Sequence, residues 1–324
     1  MPAAARLERS LPAGLAAERR EFAGAVLEGL SATPKRLACR YLYDRRGSAL
    51  FEEITGLDEY YPTRAEIEIL QANAEPLAAG AGRDGTLVEF GSGSSRKTEI
   101  LLDAMPELGA YVPIDVSQSV LAEARARLAR RYPGLDIRPI VADFSRPVAL
   151  PPDLGAGPRI GFFPGSTIGN LEPAEAVALL AAFLRMLAPQ GRLIVGVDLM
   201  KDEARLKLAY DDPAGVTAAF NLNLLERINR ELGEAFDPDA FRHEARVDVA
   251  RGRVEMHLVS ERDQTVELLG RRFHFRRGET IHTENSHKYT LAGFQRLAAE
   301  AGWRARNAWS DDERLFSVHD LEPA

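Results

Sequence analysis

Between residues 86 and 199 short apolar runs alternate with amphipathic stretches, and no other feature of this 324-residue chain constrains its fold as strongly. Residues 86–90 (T-L-V-E-F), 110–114, 137–142, 159–163 and 191–199 have the length and apolar character of buried strands. Residues 96–105, 117–131 and 173–187 carry the apolar spacing of helices, the last behind a Glu172-Pro173 start. Strands joined through helices run parallel, because each crossover returns the chain to the end of the sheet where the previous strand began. The pattern predicts an α/β fold with a doubly wound parallel sheet. Hydrophobic residues make up 45% of the chain, enough to fill such a core.

The flanks read differently. Residues 1–13 suggest a loose tail and 15–30 an amphipathic helix. Residues 33–63 look irregular and aromatic-rich, with Tyr41, Tyr43, Phe51, Tyr60 and Tyr61 among prolines and glycines, a composition that suits either a pocket wall or plain packing. Thr63 and Glu66 fit a capping box that opens a helix to about residue 79. After 199 come two helical stretches, 201–210 and 213–232, and then period-two alternation in 246–259 and 264–275, with a turn expected at Arg251-Gly252. A helix over 290–301 and an antiparallel pair, 303–309 with 314–319, close the chain. The expected organisation is an N-terminal segment (1–62), a core (63–199), an insertion (200–285) and a C-terminal completion of the core sheet (286–324).

Composition removes several classes of function. The formal charge of −7 disfavours polyanion binding, so no nucleic-acid partner is expected. A single cysteine, Cys39, excludes an internal disulfide and any zinc site with two thiolates, and fits a reducing compartment. No run has the length of a membrane span or a secretory signal, and Glu8, Glu18 and Glu21 argue against a transit peptide, so a cytoplasmic protein without a membrane partner is expected.

The sharpest local signal is E-F-G-S-G-S-S-R-K-T, which begins at Glu89 at the end of the first core strand and includes Gly91 and Lys97. Glycines there let a backbone approach a ligand closely, and the helix that follows offers unpaired N–H groups. The dinucleotide pattern fails, because Arg96 stands at the third glycine position, and the phosphate-loop pattern fails as well. Asp115 ends the second strand, 24 residues after Gly91, where a carboxylate can accept from both ribose hydroxyls. Asp143-Phe144 ends the third, where an acid and an aromatic ring suit an adenine. Singly, each acid could equally be a loop or helix cap. Three such features on consecutive strand ends predict a nucleoside cofactor of the S-adenosylmethionine type.

An acceptor would meet that cofactor after the fourth strand, at F-P-G-S-T-I-G-N, where Asn170 can donate to a carboxylate or accept from an amine, or simply cap the next helix. Glu284 and Ser286 are two apart in a strand-like run and so share a face. A carboxylate and a hydroxyl side by side could hold both nitrogens of an imidazole, or decorate a solvated edge strand. His282 and His287 lack a third ligand at useful spacing and read as surface residues.

With these residues in view, the sequence resembles the histidine-specific, S-adenosylmethionine-dependent Nα-methyltransferases of ergothioneine biosynthesis, from about residue 37 to 321. The motifs that carry the resemblance are Y-L-Y-D-R-R-G-S-A-L-F-E-E-I-T, E-Y-Y-P-T-R-A-E, E-F-G-S-G-S-S-R-K-T, P-I-D-V-S, F-F-P-G-S-T-I-G-N, F-N-L-N-L-L-E-R-I-N and I-H-T-E-N-S-H-K-Y. The resemblance implies a Rossmann-like class I methyltransferase sheet with a second, smaller α+β substrate-binding domain. It implies transfer of three methyl groups from S-adenosylmethionine to the α-nitrogen of L-histidine, giving hercynine and S-adenosylhomocysteine, with no metal and in a monomer. By matching position, Tyr60 holds the substrate, Tyr43 approaches the reacting amine, Asn170 binds the α-amino-acid end and Tyr210 the carboxylate. Met256 lines the pocket, and Glu284 and Ser286 read the imidazole. Gly91, Lys97, Asp115, Asp143 and Phe144 match the cofactor residues. With His282 and His287 read as surface residues, solvent or an ordered water is expected to take the amine proton. Two other readings remain at this point: a methyltransferase of the same fold acting on another amino acid or amine, and a nucleoside-sensing scaffold without catalysis.

Overall fold

The computed structural model describes residues 16–93 and 95–324; the expected tail over 1–13 lies outside them. In chain order the elements are α1 (Ala17–Ser31), β1 (Lys35–Arg36), α2 (Arg45–Thr55), α3 (Tyr61–Ala72), α4 (Ala74–Ala78), β2 (Thr86–Phe90), α5 (Arg96–Ala104), β3 (Ala110–Asp115) and α6 (Gln118–Arg131). There follow β4 (Asp136–Ile137), β5 (Ile140–Val141), β6 (Arg159–Phe163), α7 (Pro173–Leu187), β7 (Arg192–Asp198), α8 (Glu203–Tyr210) and α9 (Val216–Leu232). The last are β8 (Phe241–Asp248), β9 (Arg253–Ser260), β10 (Gln264–Leu268), β11 (Arg271–Phe275), β12 (Thr280–His287), α10 (Leu291–Glu300), β13 (Trp303–Ser310) and β14 (Phe316–Pro323).

The chain divides into two compact units. The described residues up to Tyr60 join Asp202–Asn285 in the first; Tyr61–Lys201 joins Ser286–Ala324 in the second. The second unit holds an eight-stranded sheet in the order β13-β14-β7-β6-β2-β3-β4, with β5 also on β3. β2, β3, β4, β5, β6 and β7 pair in parallel, and β14 and β13 add an antiparallel hairpin. Alternate residues of the strands serve opposite faces. Val88, Phe90 and Phe163 pack with α7 and α10 through Phe183 and Phe294, in one cluster with Trp303 of β13. Leu87, Tyr111 and Phe162 pack with α3 and α5 through Ile69, Leu70 and Leu101. The chain winds from β2 towards β4 on one side and resumes at β6 on the other. Such a switch point leaves a crevice beyond the carboxyl ends of β2 and β6, where ligands bind in open α/β sheets.

The first unit has a four-stranded sheet, β1-β12-β9-β8, and a separate hairpin, β10-β11. β8 and β9 are antiparallel through a turn at 249–252 that ends on Gly252 at φ 64°, as the Arg251-Gly252 step suggested. α8 and α9 pack on β8 and β9.

Four expectations change. The strand over 137–142 is split into β4 and β5, because Pro139 has no N–H to give the ladder. Thr63 does not cap a helix: α3 starts at Tyr61, with Pro62 in the first turn, where its missing N–H costs nothing. The 33–63 segment is not irregular throughout, since it contains α2, which Asp44 caps by accepting from Gly47 N at 2.7 Å. His282 and His287 are not surface residues: His282 is half-buried and bonds Asn285 Oδ1 at 2.9 Å, and His287 is buried with Nε2 3.7 Å from Glu172. Burial holds the His282 imidazole below its ordinary pKa. Among the described residues no group of three or more ligating side chains could hold a metal.

Candidate active site

In the first unit the aromatic motifs fold into one wall. Asp44 closes the start of α2 and also accepts from Asn223 Nδ2 at 2.8 Å and from Arg230, so the Y-D-x-x-G-S and F-N-L-N motifs are locked together behind Tyr43. Gly47 is required there, since a Cβ would lie 1.7 Å from Leu42 O. Tyr43 meets Phe51 and Phe220 edge-on, each with centroids 5.4 Å apart. Phe51 leads to Tyr60 at 6.2 Å, and Tyr60 to Tyr210 at 6.2 Å. Desolvation raises the Tyr43 hydroxyl well above its ordinary pKa, and the Glu284 carboxylate raises it further. Cys39 is pushed up to about 12 by burial first and Glu284 second. Glu284, Tyr60 and Tyr210 all act electrostatically on the Tyr43 hydroxyl.

The supports of this wall were not visible as functional residues. His243 bonds the Tyr210 carbonyl through Nε2 at 2.8 Å, and Asn221 Nδ2 donates to its Nδ1 at 2.9 Å. These partners require the Nε2–H tautomer, and burial keeps the ring below its ordinary pKa. Met256 is buried on β9, where its carbonyl accepts from Thr283 Oγ1 at 3.0 Å. Glu284, on β12, is 8% exposed, and Ser286, on the same strand, 4%; neither decorates a solvated edge.

In the second unit the carboxyl ends of the parallel strands carry the other set. Gly91 follows β2 at φ 74°, and a Cβ there would come 3.2 Å from the Phe144 ring; a Cβ on Gly93 (φ 47°) would meet open space. Asp115 accepts from Gly93 N at 3.0 Å and Ser117 N at 2.9 Å, while Ser117 itself caps α6. Gly91, Asp115 and Phe144 are therefore drawn together. Asp143 is half-buried and accepts from Ser145 N at 2.9 Å. Lys97 sits on the wholly buried Glu66, 2.6 Å away, and Glu66 also accepts from Gly165 N at 3.0 and 2.9 Å. The glycine loop and the F-P-G-S loop share that carboxylate. Under the loop, Glu89 accepts from Thr98 Oγ1 at 2.6 Å and from Tyr111, and burial raises it to about 8. Asn170 ends a 3-10 turn, Thr167–Asn170, and is not the cap of α7; Glu172 is, within a capping box. Gly169 packs so closely on β12 that a Cβ would come 2.8 Å from His287 O.

These features fit an adenosyl group: glycine backbone for close approach, a half-buried carboxylate for ribose hydroxyls, and an aromatic ring beside an acid for the base.

The model of a family described as "Histidine-specific methyltransferase, SAM-dependent" matches residues 22–323. A histidine N-alpha-methyltransferase of Mycolicibacterium smegmatis is 44% identical over 298 residues, covering 90% of this chain and 92% of the relative. One of Mycobacterium tuberculosis is likewise 44% identical with the same coverage. Ergothioneine biosynthesis protein 1 of Neurospora crassa is 32% identical across 86% of this chain and 32% of its own length.

Proposed function

The chain belongs to the histidine-specific, S-adenosylmethionine-dependent methyltransferases, and from that premise we propose how its residues deliver three methyl groups to the α-nitrogen of L-histidine, forming hercynine for ergothioneine biosynthesis. The observation that carries the assignment to residues is the first unit's aromatic chain from Tyr43 through Phe51 and Tyr60 to Tyr210, with the buried Glu284 carboxylate acting on the Tyr43 hydroxyl.

Bound S-adenosylmethionine supplies an electrophilic methyl on a sulfonium, already activated, so the chain has to position a neutral amine in line with it. Asp115 would take the ribose, and Asp143 with Phe144 the adenine. Gly91 leaves room for the backbone to approach the ligand. Lys97 would act at the same loop, oriented by Glu66.

Tyr60, Asn170 and Tyr210 would hold the amino-acid end. Tyrosine hydroxyls bind a carboxylate without the desolvation cost of a buried guanidinium. Glu284 would accept from the imidazole N–H and Ser286 would meet the other nitrogen, with Met256 against the ring. A site that hydrogen-bonds both nitrogens leaves its own polar groups unpaired with an apolar side chain, which is a strong source of rejection. Tyr43 would orient the amine. Its raised pKa keeps it a phenol at neutral pH, so it accepts an N–H but does not become the base. Water then takes the proton. We place the reaction in the cytoplasm, on the strength of the single cysteine.

The test is product mass across an amino-acid panel with S-adenosylmethionine. Histidine should gain three methyls on the α-nitrogen with stoichiometric S-adenosylhomocysteine. Turnover of another amino acid with none of histidine would overturn the reading.

A further inference from the structure

In the second unit the wholly buried carboxylate of Glu66, on α3, joins two pieces of chain that the roles above assign to different ligands. Its Oε2 accepts from Lys97 Nζ at 2.6 Å, on the helix that follows the glycine loop. Both of its oxygens accept from Gly165 N, at 3.0 and 2.9 Å, at the start of the turn that ends on Asn170. Lys97 lies over that same turn, since a Cβ on Gly165 would sit 3.7 Å from its Nζ. Lys97 also acts electrostatically on Glu89, under the glycine loop.

The packing is arranged around this carboxylate. Gly196, inside β7, leaves the space that Glu66 Oε1 fills: a Cβ there would come 1.9 Å from that oxygen. A glycine in a strand interior often marks such a close approach. Each of the two pieces has moorings of its own. α5 is fixed by Leu101 and Leu102 in the core and by Thr98 on Glu89. In the turn, Ser166 Oγ accepts from Asp198 N at 2.9 Å, and Gly169 lies against the backbone of His287. Neither piece depends on Glu66 alone for its place; what the carboxylate fixes is the distance between them.

That distance matters to a methyl transfer. The nitrogen has to lie in line with the sulfonium methyl at about 3–3.5 Å, and a displacement of about 1 Å can slow a reaction on the order of a hundredfold. We infer that Glu66 is a positioning residue that holds the acceptor turn and its Asn170 in register with the cofactor helix and its Lys97. The inference rests on the reading that Asn170 meets the amino acid and Lys97 the cofactor. An amide cannot stand in for the carboxylate. Gly165 N lies within 3.0 Å of both oxygens, so either orientation of a glutamine sets an NH2 against that N–H.

The experiment follows the first methyl transfer in single turnovers, with enzyme in excess over S-adenosylmethionine and histidine saturating, for the natural chain and Glu66→Gln. Calorimetry on the same proteins gives the affinities for histidine and S-adenosylhomocysteine. Glu66→Gln should slow the transfer at least about tenfold, with both dissociation constants within about threefold of the natural chain's, because each ligand keeps its own contacts. Should Glu66→Gln not fold, Gly196→Ala carries the same test: it keeps every charge, pushes the carboxylate aside and should show the same split between rate and affinity. A carboxylate that served stability alone would lower the melting temperature and leave the single-turnover rate of the folded enzyme unchanged, and that result overturns the inference. Affinity losses as large as the loss of rate overturn it too, as does a failure of both variants to fold. The reading beneath it fails in a different way. Asn170→Ala with unchanged histidine affinity, or Lys97→Met with unchanged S-adenosylhomocysteine affinity, overturns the roles of those residues, and a natural chain that transfers no methyl to histidine overturns the proposed function.

Discussion

Replacing Glu284 by glutamine keeps the shape of the side chain and removes its charge. The carboxylate is buried on β12, so a bond from an imidazole N–H to it would be little screened. A hydrogen bond to a charged group contributes about 1.5–3 kcal/mol and a neutral one about 0.5–1.5 kcal/mol, so the exchange should cost about 1–1.5 kcal/mol, or roughly tenfold in histidine affinity. Glu284→Ala, which also leaves the ring N–H without a partner, should cost ~2–4 kcal/mol. Calorimetry of histidine and of S-adenosylhomocysteine separates a pocket effect from a folding effect, because only the first ligand should be affected. A second readout follows from the electrostatics. Glu284 helps to raise the pKa of Cys39, so its neutralisation should lower that pKa and speed thiol modification at a fixed alkaline pH. Equal losses for both ligands, or no loss for either, would refute the argument that this carboxylate reads the substrate.

Other consequences concern the cofactor loop and the core. Gly91→Ala puts a side chain at φ 74° and 3.2 Å from the Phe144 ring; strain of about 1–2 kcal/mol should appear as a lower melting temperature and roughly tenfold weaker S-adenosylhomocysteine binding, with the fold intact by circular dichroism. Asp115→Ala should weaken cofactor binding by about tenfold or more while histidine still protects the protein in a thermal-shift assay. His319 is wholly buried, and desolvation pushes it down to about 4 from an ordinary 6.5. Below pH 6.5 the unfolded chain takes up a proton that folded His319 refuses, so this group's share of stability, about 3 kcal/mol, is present above pH 6.5 and lost as pH falls towards 4. Urea titrations at pH 7 and pH 4.5 should show that slope, and His319→Gln should flatten it.

Local chemistry made the core legible. β2, β3, β6 and β7 announce themselves as apolar runs closed by glycine, aspartate or proline, and the strand–helix alternation fixes their parallel sense. Where one residue overrides a run, as Pro139 does between β4 and β5, pattern alone overestimates the strand. α2 was missed because Gly47 and neighbouring arginines mask its apolar spacing, although Asp44 stands where an N-cap belongs. The candidate site divides along similar lines. Gly91, Asp115 and Phe144 sit at strand ends whose positions follow from the winding of the sheet. Glu66 on Lys97, His243 behind Tyr210, and Asp198 with Lys201 and Lys288 join residues 31, 33, and 3 and 90 positions apart; spacing does not reveal such partners unless they fall within one element. His282 and His287 show the converse error, polar residues read as exposed on a strand where five of eight residues are buried and none is exposed.

The most direct test is a crystal structure of the complex with S-adenosylhomocysteine and histidine. It should show one ring nitrogen within hydrogen-bond distance of Glu284, the other at Ser286, and the ribose hydroxyls on Asp115. An imidazole bound away from Glu284 and Ser286, or an adenosine away from Asp115, would contradict the account.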